Sequence, residues 1–349
     1  MMTRSVFALI LAAEAAQATG GAGVAAGEFL NIGANTRAAG MGEAYVGVAD
    51  DVGSLYYNPA GLVRRREMSF HYLHAAWLGD LGYDHVAGVF PQARWGAFGA
   101  GFTRLFFSGD KITVGPSGEP VTGGEFQAGS LAASASYAVQ IAAPTSLGAT
   151  LKFLSQDLDG VRGSAVAADA GMIYRSPLPA LTMGAQLANL GTRVNAATLP
   201  VVLKLGAGMS LPAVRGLASL AGKKGMWDLP LLAADVHFQL VPQKPRFITV
   251  FLGSEYTIGI DARQTAMARL GYRYGEEGAG GLAGAAAGFG YRLALPRFSF
   301  GLDYALVHYG ELGLTHRFAV TTGFAPLSEV SLGGVEALRK AAKKEGQIY

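Results

Sequence analysis

The chain has 349 residues, half of them hydrophobic, with 50 glycines, no cysteine and only 15% charged side chains. A net charge of +3, scattered along the sequence, is too weak for a nucleic-acid surface. No window holds the roughly 18 consecutive apolar residues of a membrane-spanning helix, so the apolar mass is dispersed, as in strands with one lipid-facing side.

The first residues look like a targeting segment. Arg4 precedes an apolar run from Val6 to Ala13, and Ala16-Gln17-Ala18 is a small-residue cleavage site. A signal peptide is expected over 1–18. Residues 19–66 form the next unit. Its later part, AAGMGEAYVGVADDVGSLYYNPAGL from Ala38 to Leu62, is too broken by glycine for a long helix and too apolar for a free linker. Asp50 and Asp51 are placed to cap a short helix from Val52 to Tyr57. Asn58 with Pro59 reads as a second helix start, since Asn is a good N-cap and Pro suits the first helical position. This is either a surface helix-turn-helix or a plug. The plug gives Tyr56, Tyr57 and Leu62 somewhere dry to go.

From residue 67 to 324 the pattern alternates with period two. Leu147, Ala149, Leu151 and Phe153 alternate with Ser146, Gly148, Thr150 and Lys152. Phe298, Phe300, Leu302 and Tyr304 alternate with Ser299, Gly301 and Asp303. One face is apolar throughout. The other carries Gly, Ser and single charges, too sparse for a face meeting bulk water and suited to a narrow lumen. About 14 such runs occur, each near the roughly 9–11 residues of a tilted membrane strand. They cover 67–77, 82–91, 95–107, 126–139, 146–157, 164–175, 181–191, 200–210, 229–239, 246–257, 264–274, 282–293, 297–307 and 314–324. The expected fold is all-β: a transmembrane antiparallel β-barrel of about 14 strands with a small N-terminal helical plug in its lumen.

Short, Pro-marked turns at 91–94, 143–145, 176–179 and 295–297 read as periplasmic. The longer stretches 108–125 and 157–163 read as extracellular loops. An even strand count places both termini in the periplasm. The connection 211–228, with a helix-compatible stretch from Val214 to Lys224, is long for the side it falls on. Trp77, Trp95, Tyr174, Tyr256, Tyr274, Tyr291 and Phe324 stand at run ends, as interface girdles do. Residues 325–349 form a basic amphipathic tail, expected in the periplasm, in which Leu332, Val335, Leu338 and Ala342 recur at helical spacing.

Nine charges fall on the sparse polar face: Lys152, Asp169, Lys204, Asp235, Glu255, Arg269, Arg273, Asp303 and Arg317. Both signs occur, so they can pair across a narrow lumen, where a lone charge is costly. They form either a network that holds the plug or a polar path that plug movement opens. Catalytic motifs are missing: there is no G-x-S-x-G and no H-E-x-x-H. The six histidines show no pair at ligand spacing. The expectation is no enzyme, no metal and no cofactor.

The stretch from Asn31 to Leu62 resembles the amino-terminal signature of the PorV/PorQ family within the FadL-like outer-membrane barrels. The matching positions are Arg37-Ala38-Ala39-Gly40-Met41-Gly42, Asp50-Asp51 and Asn58-Pro59-Ala60-Gly61-Leu62. Fainter echoes follow in order, at 186–191, 253–256, 269–272, 303–305 and 313–317. The resemblance implies a monomeric barrel plugged by its own amino-terminal segment, with Asp50, Asp51, Tyr56, Tyr57, Asn58, Pro59 and Gly61 in the plug. It also implies one of two roles. PorV relatives serve protein secretion and receive exported proteins or secretion-system components, whereas FadL relatives pass hydrophobic molecules such as fatty acids. Outer-membrane lipid surrounds the barrel in either case. A deep apolar pocket beside Tyr56 and Tyr57 would favour transport. A lumen filled by packed side chains, with an apolar outer-loop surface, would favour a protein partner. Two departures stand out: the chain runs on past Phe324, and its outer loops are modest.

Overall fold

The computed structural model describes residues 26–114, 117, 120–178, 180–195, 197–211, 228–240, 248–275 and 283–324. The expected signal peptide, the 214–224 stretch and the basic tail lie outside these residues.

Fourteen strands follow one another along the chain. They are β1 (Met68–Ala76), β2 (Gly82–Gln92), β3 (Gly96–Val114), β4 (Pro120–Ala142), β5 (Thr145–Leu158), β6 (Val161–Arg175) and β7 (Leu181–Gly191). Then come β8 (Val202–Ser210), β9 (Asp228–Gln239), β10 (Ile248–Gly259), β11 (Gln264–Tyr274), β12 (Ala285–Ala294), β13 (Phe298–His308) and β14 (Leu314–Phe324). Each pairs antiparallel with its chain neighbours, and β14 pairs with β1, with Met68 opposite Phe324, so the barrel closes without a free edge. The alternation in the sequence becomes an inside and an outside. On β5 and β11, Leu151 and Leu270 are exposed at 65% and 66%, while Thr150 and Arg269 are buried at 1% and 2%. Apolar out and polar in is the inverse of a soluble protein. Only lipid covers such a wall without penalty, and only a closed barrel satisfies its backbone there.

Two predicted loops are corrected. The 108–125 stretch is mostly strand, because β3 runs to Val114 and β4 starts at Pro120. Its glycines suggest a loop, but Phe107, Val114, Val121 and Phe126 are strand formers. β3 pairs with β2 only as far as Phe106, and β4 pairs with β5 only from Ala128, so the outer part of this hairpin projects beyond the barrel. The 157–163 stretch shrinks to Asp159-Gly160, both at positive φ (50° and 89°), a tight hairpin turn. The girdle expectation needs one correction as well. Trp95 and Tyr274 are exposed at strand ends, but Trp77 turns toward the lumen and packs on Tyr309, ring centroids 5.2 Å apart.

The core is not a layer between sheets. It lies between the wall and residues 26–66. The Ala26 amide donates to Thr198 O (2.9 Å) at the rim where β7 ends, and Glu67 leads into β1 at the opposite rim. This segment therefore runs through the whole lumen. It contains two short α-helices, α1 (Thr36–Gly40) and α2 (Ser54–Tyr57), and 3-10 turns at Glu28–Asn31 and Pro59–Arg64.

Candidate functional site: the plugged lumen

Asn35 caps α1, its side chain accepting from the Ala38 amide (3.1 Å). That sets Arg37 against the wall of β10 to β13. Its Nε and Nη2 each donate to Glu255 at 2.7 Å, and Nη1 reaches Asp50 at 2.6 Å. Glu255 also accepts from Arg269 Nε (2.6 Å), and Arg269 Nη1 donates to Asp303 (2.6 Å). Asp51 completes the group, accepting from Asn35 (3.0 Å) and the Gly53 amide (2.7 Å), with Arg37 Nη1 at 3.4 Å. Burial pushes the Asp51 carboxyl up, but Arg37 and then Arg292 more than offset this and hold it well below the usual carboxylate range. Gly53, not Asp50 or Asp51, is the N-cap of α2: the Asp50 carboxylate turns to Arg37, while Asp51 takes the Gly53 amide on one oxygen and faces Arg37 with the other.

The next turn of the plug is held through its backbone. One carboxylate oxygen of Asp235 accepts from the amides of Tyr45 (2.6 Å) and Val46 (2.7 Å). Glu43 takes a hydrogen bond from the Tyr57 hydroxyl and one from Arg317 (2.9 Å). Arg317 is 1% exposed and also donates to Gly33 O (3.0 Å) and Tyr309 (Nη2 to Oη, 2.9 Å). The Arg273 guanidinium lies 4.6 Å from the centre of the Tyr309 ring.

The wall of β3 to β7 grips the plug differently. Asn58 is the N-cap of the Pro59–Arg64 turn, its side chain accepting from Ala60 N (3.2 Å), with Pro59 next. Its amide also donates into the wall, to Met172 O (3.0 Å). Gly148 and Gly171 face each other across β5 and β6, and any β-carbon there would collide with Pro59 and Ala60 or with Asn58. Gly61 has the same constraint from within the plug, against Ala49 O. Above them Lys152 pairs with Asp169 (2.7 Å) and donates to Asn189 Oδ1 (2.8 Å). Asn189 stands at a break in the β6–β7 register with φ of 62°, its amide donating to Asp169 (2.8 Å) rather than along the strand. The Lys204 ammonium lies 4.7 Å from the Tyr56 ring centre and 5.8 Å from that of Tyr57.

No deep pocket opens beside Tyr56 and Tyr57 among the described residues. A cavity of about 30 Å³ remains, lined by Phe29, Leu30, Leu55, Tyr56, Tyr83 and Lys152 among others. That is space for one or two water molecules. Around it, Phe29 and Leu30 fill an apolar chamber with Leu154, Ala165, Val194 and Leu199.

The structure therefore gathers the predicted residues into two groups. Asp50, Asp51 and Glu255 contact Arg37, with Arg269 and Asp303 behind Glu255. Tyr56, Lys152, Asp169 and Lys204 line the other side. Asp235 and Arg317 hold the turn between them, and Arg273 sits at the rim. Sequence reasoning missed Arg37, Glu43 and Tyr45 as site residues. Their signal was present, since Arg37 and Glu43 are charges in a run of small apolar residues.

No protein-family model matches this sequence, and no curated protein matches it either. Solved structures do match in shape. The Pseudomonas putida toluene transporter TodX aligns with a TM-score of 0.57 at 10% identity, over 84% of this chain and 98% of that one. The Ralstonia pickettii toluene transporter TbuX gives 0.52 at 12%, over 84% and 97%. The monoaromatic hydrocarbon channel CymD gives 0.53 at 11%, over 84% and 98%. At such identities the likeness concerns the fold alone, a closed antiparallel barrel, here of 14 strands.

Proposed function

We propose that this protein is an outer-membrane channel for small hydrophobic molecules, described here with its plug docked. The observation that carries this reading is the barrel shared with the toluene transporters and the monoaromatic hydrocarbon channel. The filled lumen by itself speaks for a protein partner, so the channel reading requires a part of the plug that a solute can displace. Phe29 and Leu30 sit on a 3-10 turn without a side-chain cap, in an apolar chamber where a solute could replace them. The inward charges hold the plug, and the rim with short turns faces the periplasm.

Uptake of toluene and of a fatty acid into proteoliposomes tests this. The chain has no cysteine, so an engineered pair is clean. A β-carbon at Gly208 would meet the Val48 Cγ2 methyl at 2.9 Å, which Val48→Cys removes, and the Val48 α-carbon at 3.4 Å, within reach of a disulfide whose β-carbons stand roughly 3.5–4.5 Å apart. The double variant V48C/G208C should lose uptake when oxidised and regain it on reduction. Equal uptake in both states, or none by the wild type, defeats the proposal.

A second reading follows from the projecting β3–β4 hairpin and the filled lumen: a secretion-linked barrel of the PorV/PorQ type, docking exported proteins at its outer rim. Photocrosslinking from Ser117 in cells decides it. A discrete exported protein in the adduct favours this role, and its absence leaves the channel.

A further inference from the structure

The wall of β7 to β11 is dented from outside. A hollow of about 620 Å³ opens on its lipid-facing side, within the range of ligand-binding clefts. Its floor is small: Ala207 and Ala234 stand opposite each other on β8 and β9, with Ser254 beyond. Its sides are Met209, Leu232, Leu252, Leu270 and Tyr272. The leucines point into the membrane, 45% to 66% exposed in the isolated chain.

The inner face behind the hollow is small as well. There the register aligns Gly208, Ala233, Gly253 and Gly271 in one row across β8 to β11. No inward side chain in that row is longer than a methyl group. A β-carbon on Gly42 (φ 62°) would meet the Tyr272 nitrogen at 2.5 Å, and one on Gly47 would meet the Ala207 backbone at 2.6 Å. Plug and wall thus touch backbone to backbone on the inner side of the hollow.

We infer that this hollow is a seat for one acyl chain of a membrane lipid. The hollow is continuous with the lipid-facing surface of the barrel, so chains of the surrounding bilayer already reach it. A second copy fits poorly, because a twofold axis would set two hollows face to face and leave them empty. A flexible chain takes the shape of the dent. Recognition is of the tail and not of the headgroup. Alanine, leucine and methionine dominate the lining, and the Ser254 hydroxyl is already directed at Leu270 O (3.4 Å). The seat does not depend on what passes through the lumen.

The test is native mass spectrometry of the full barrel in mild detergent with added 1-palmitoyl-2-oleoyl-phosphatidylethanolamine. The wild type should retain one lipid, and phosphatidylglycerol with the same tails should be retained equally. The double variant A207F/A234F, which fills the hollow from the membrane side, should retain none. A133F/A135F adds the same bulk on the exposed face of β4 and should behave as wild type. Resistance to unfolding by unheated dodecyl sulfate confirms that each variant is folded. Retention by A207F/A234F, dependence on the headgroup, or a wild-type dimer that A207F/A234F abolishes would each overturn the seat.

Discussion

The two walls of the lumen hold the same plug by different physics. The wall of β10 to β14 uses charge: Glu255 between Arg37 and Arg269, Asp303 behind, and Arg317 on Glu43. The wall of β3 to β7 uses absence, with Gly148 and Gly171 leaving room for the plug backbone itself. A charge pair tolerates small shifts if its partners follow. A backbone seated on glycine tolerates none, because packed interiors leave no slack. Residues 58–60 on β5 and β6, and residues 41–42 where they lie on Gly253 and Gly271, are therefore the fixed seats, and the charge pairs around Arg37 and Arg317 are the part able to rearrange.

The largest expected effect comes from removing the carboxylate that joins two guanidiniums. Glu255→Ala leaves Arg37 and Arg269 short of compensation in a buried place, which costs about 3–5 kcal/mol when one partner of a buried pair is lost. Protease sensitivity of the plug and denaturant unfolding in vesicles should both show it. A variant as resistant as wild type would mean the network contributes nothing net. On the other wall, Gly148→Val forces a side chain into Pro59 and Ala60, with an overpacking cost of about 1–3 kcal/mol. If the anchor is here, this variant should loosen residues 54–64 before residues 35–49. Hydrogen exchange followed by peptide mass resolves the two segments. Asn58→Ala should cost less, about 1 kcal/mol for a lost N-cap, with the same segment affected.

These contrasts also mark what could be read from the chain. The strands are legible because a lipid-facing wall imposes strict alternation, and Leu151 against Thr150 or Leu302 against Asp303 shows it locally. The inward charges are legible for the same reason, as lone charges on a face of small residues. Their partners are not. Arg37 and Glu255 are 218 residues apart and meet only once the barrel has closed. Gly148 and Gly171 read as ordinary members of a small polar face, since their role depends on what lies against them. The β3–β4 hairpin was hidden by its glycines and prolines, which mark a turn but not where the strands beside it end.

The smallest effect is in pH, and it separates Asp51 from its neighbours. Its carboxyl is held below the usual range by Arg37 and Arg292 despite burial. A carboxylate with a depressed folded pKa stabilises above its unfolded value of about 3.9, and that contribution is lost only as pH falls through the folded value. The difference in plug protection between wild type and Asp51→Asn should therefore stay constant from about pH 8 to 5 and shrink only in stronger acid. A difference that fades between about pH 7 and 5 would mean that Asp51 is not held ionised by the guanidiniums. The charged wall would then be the weaker of the two at neutral pH.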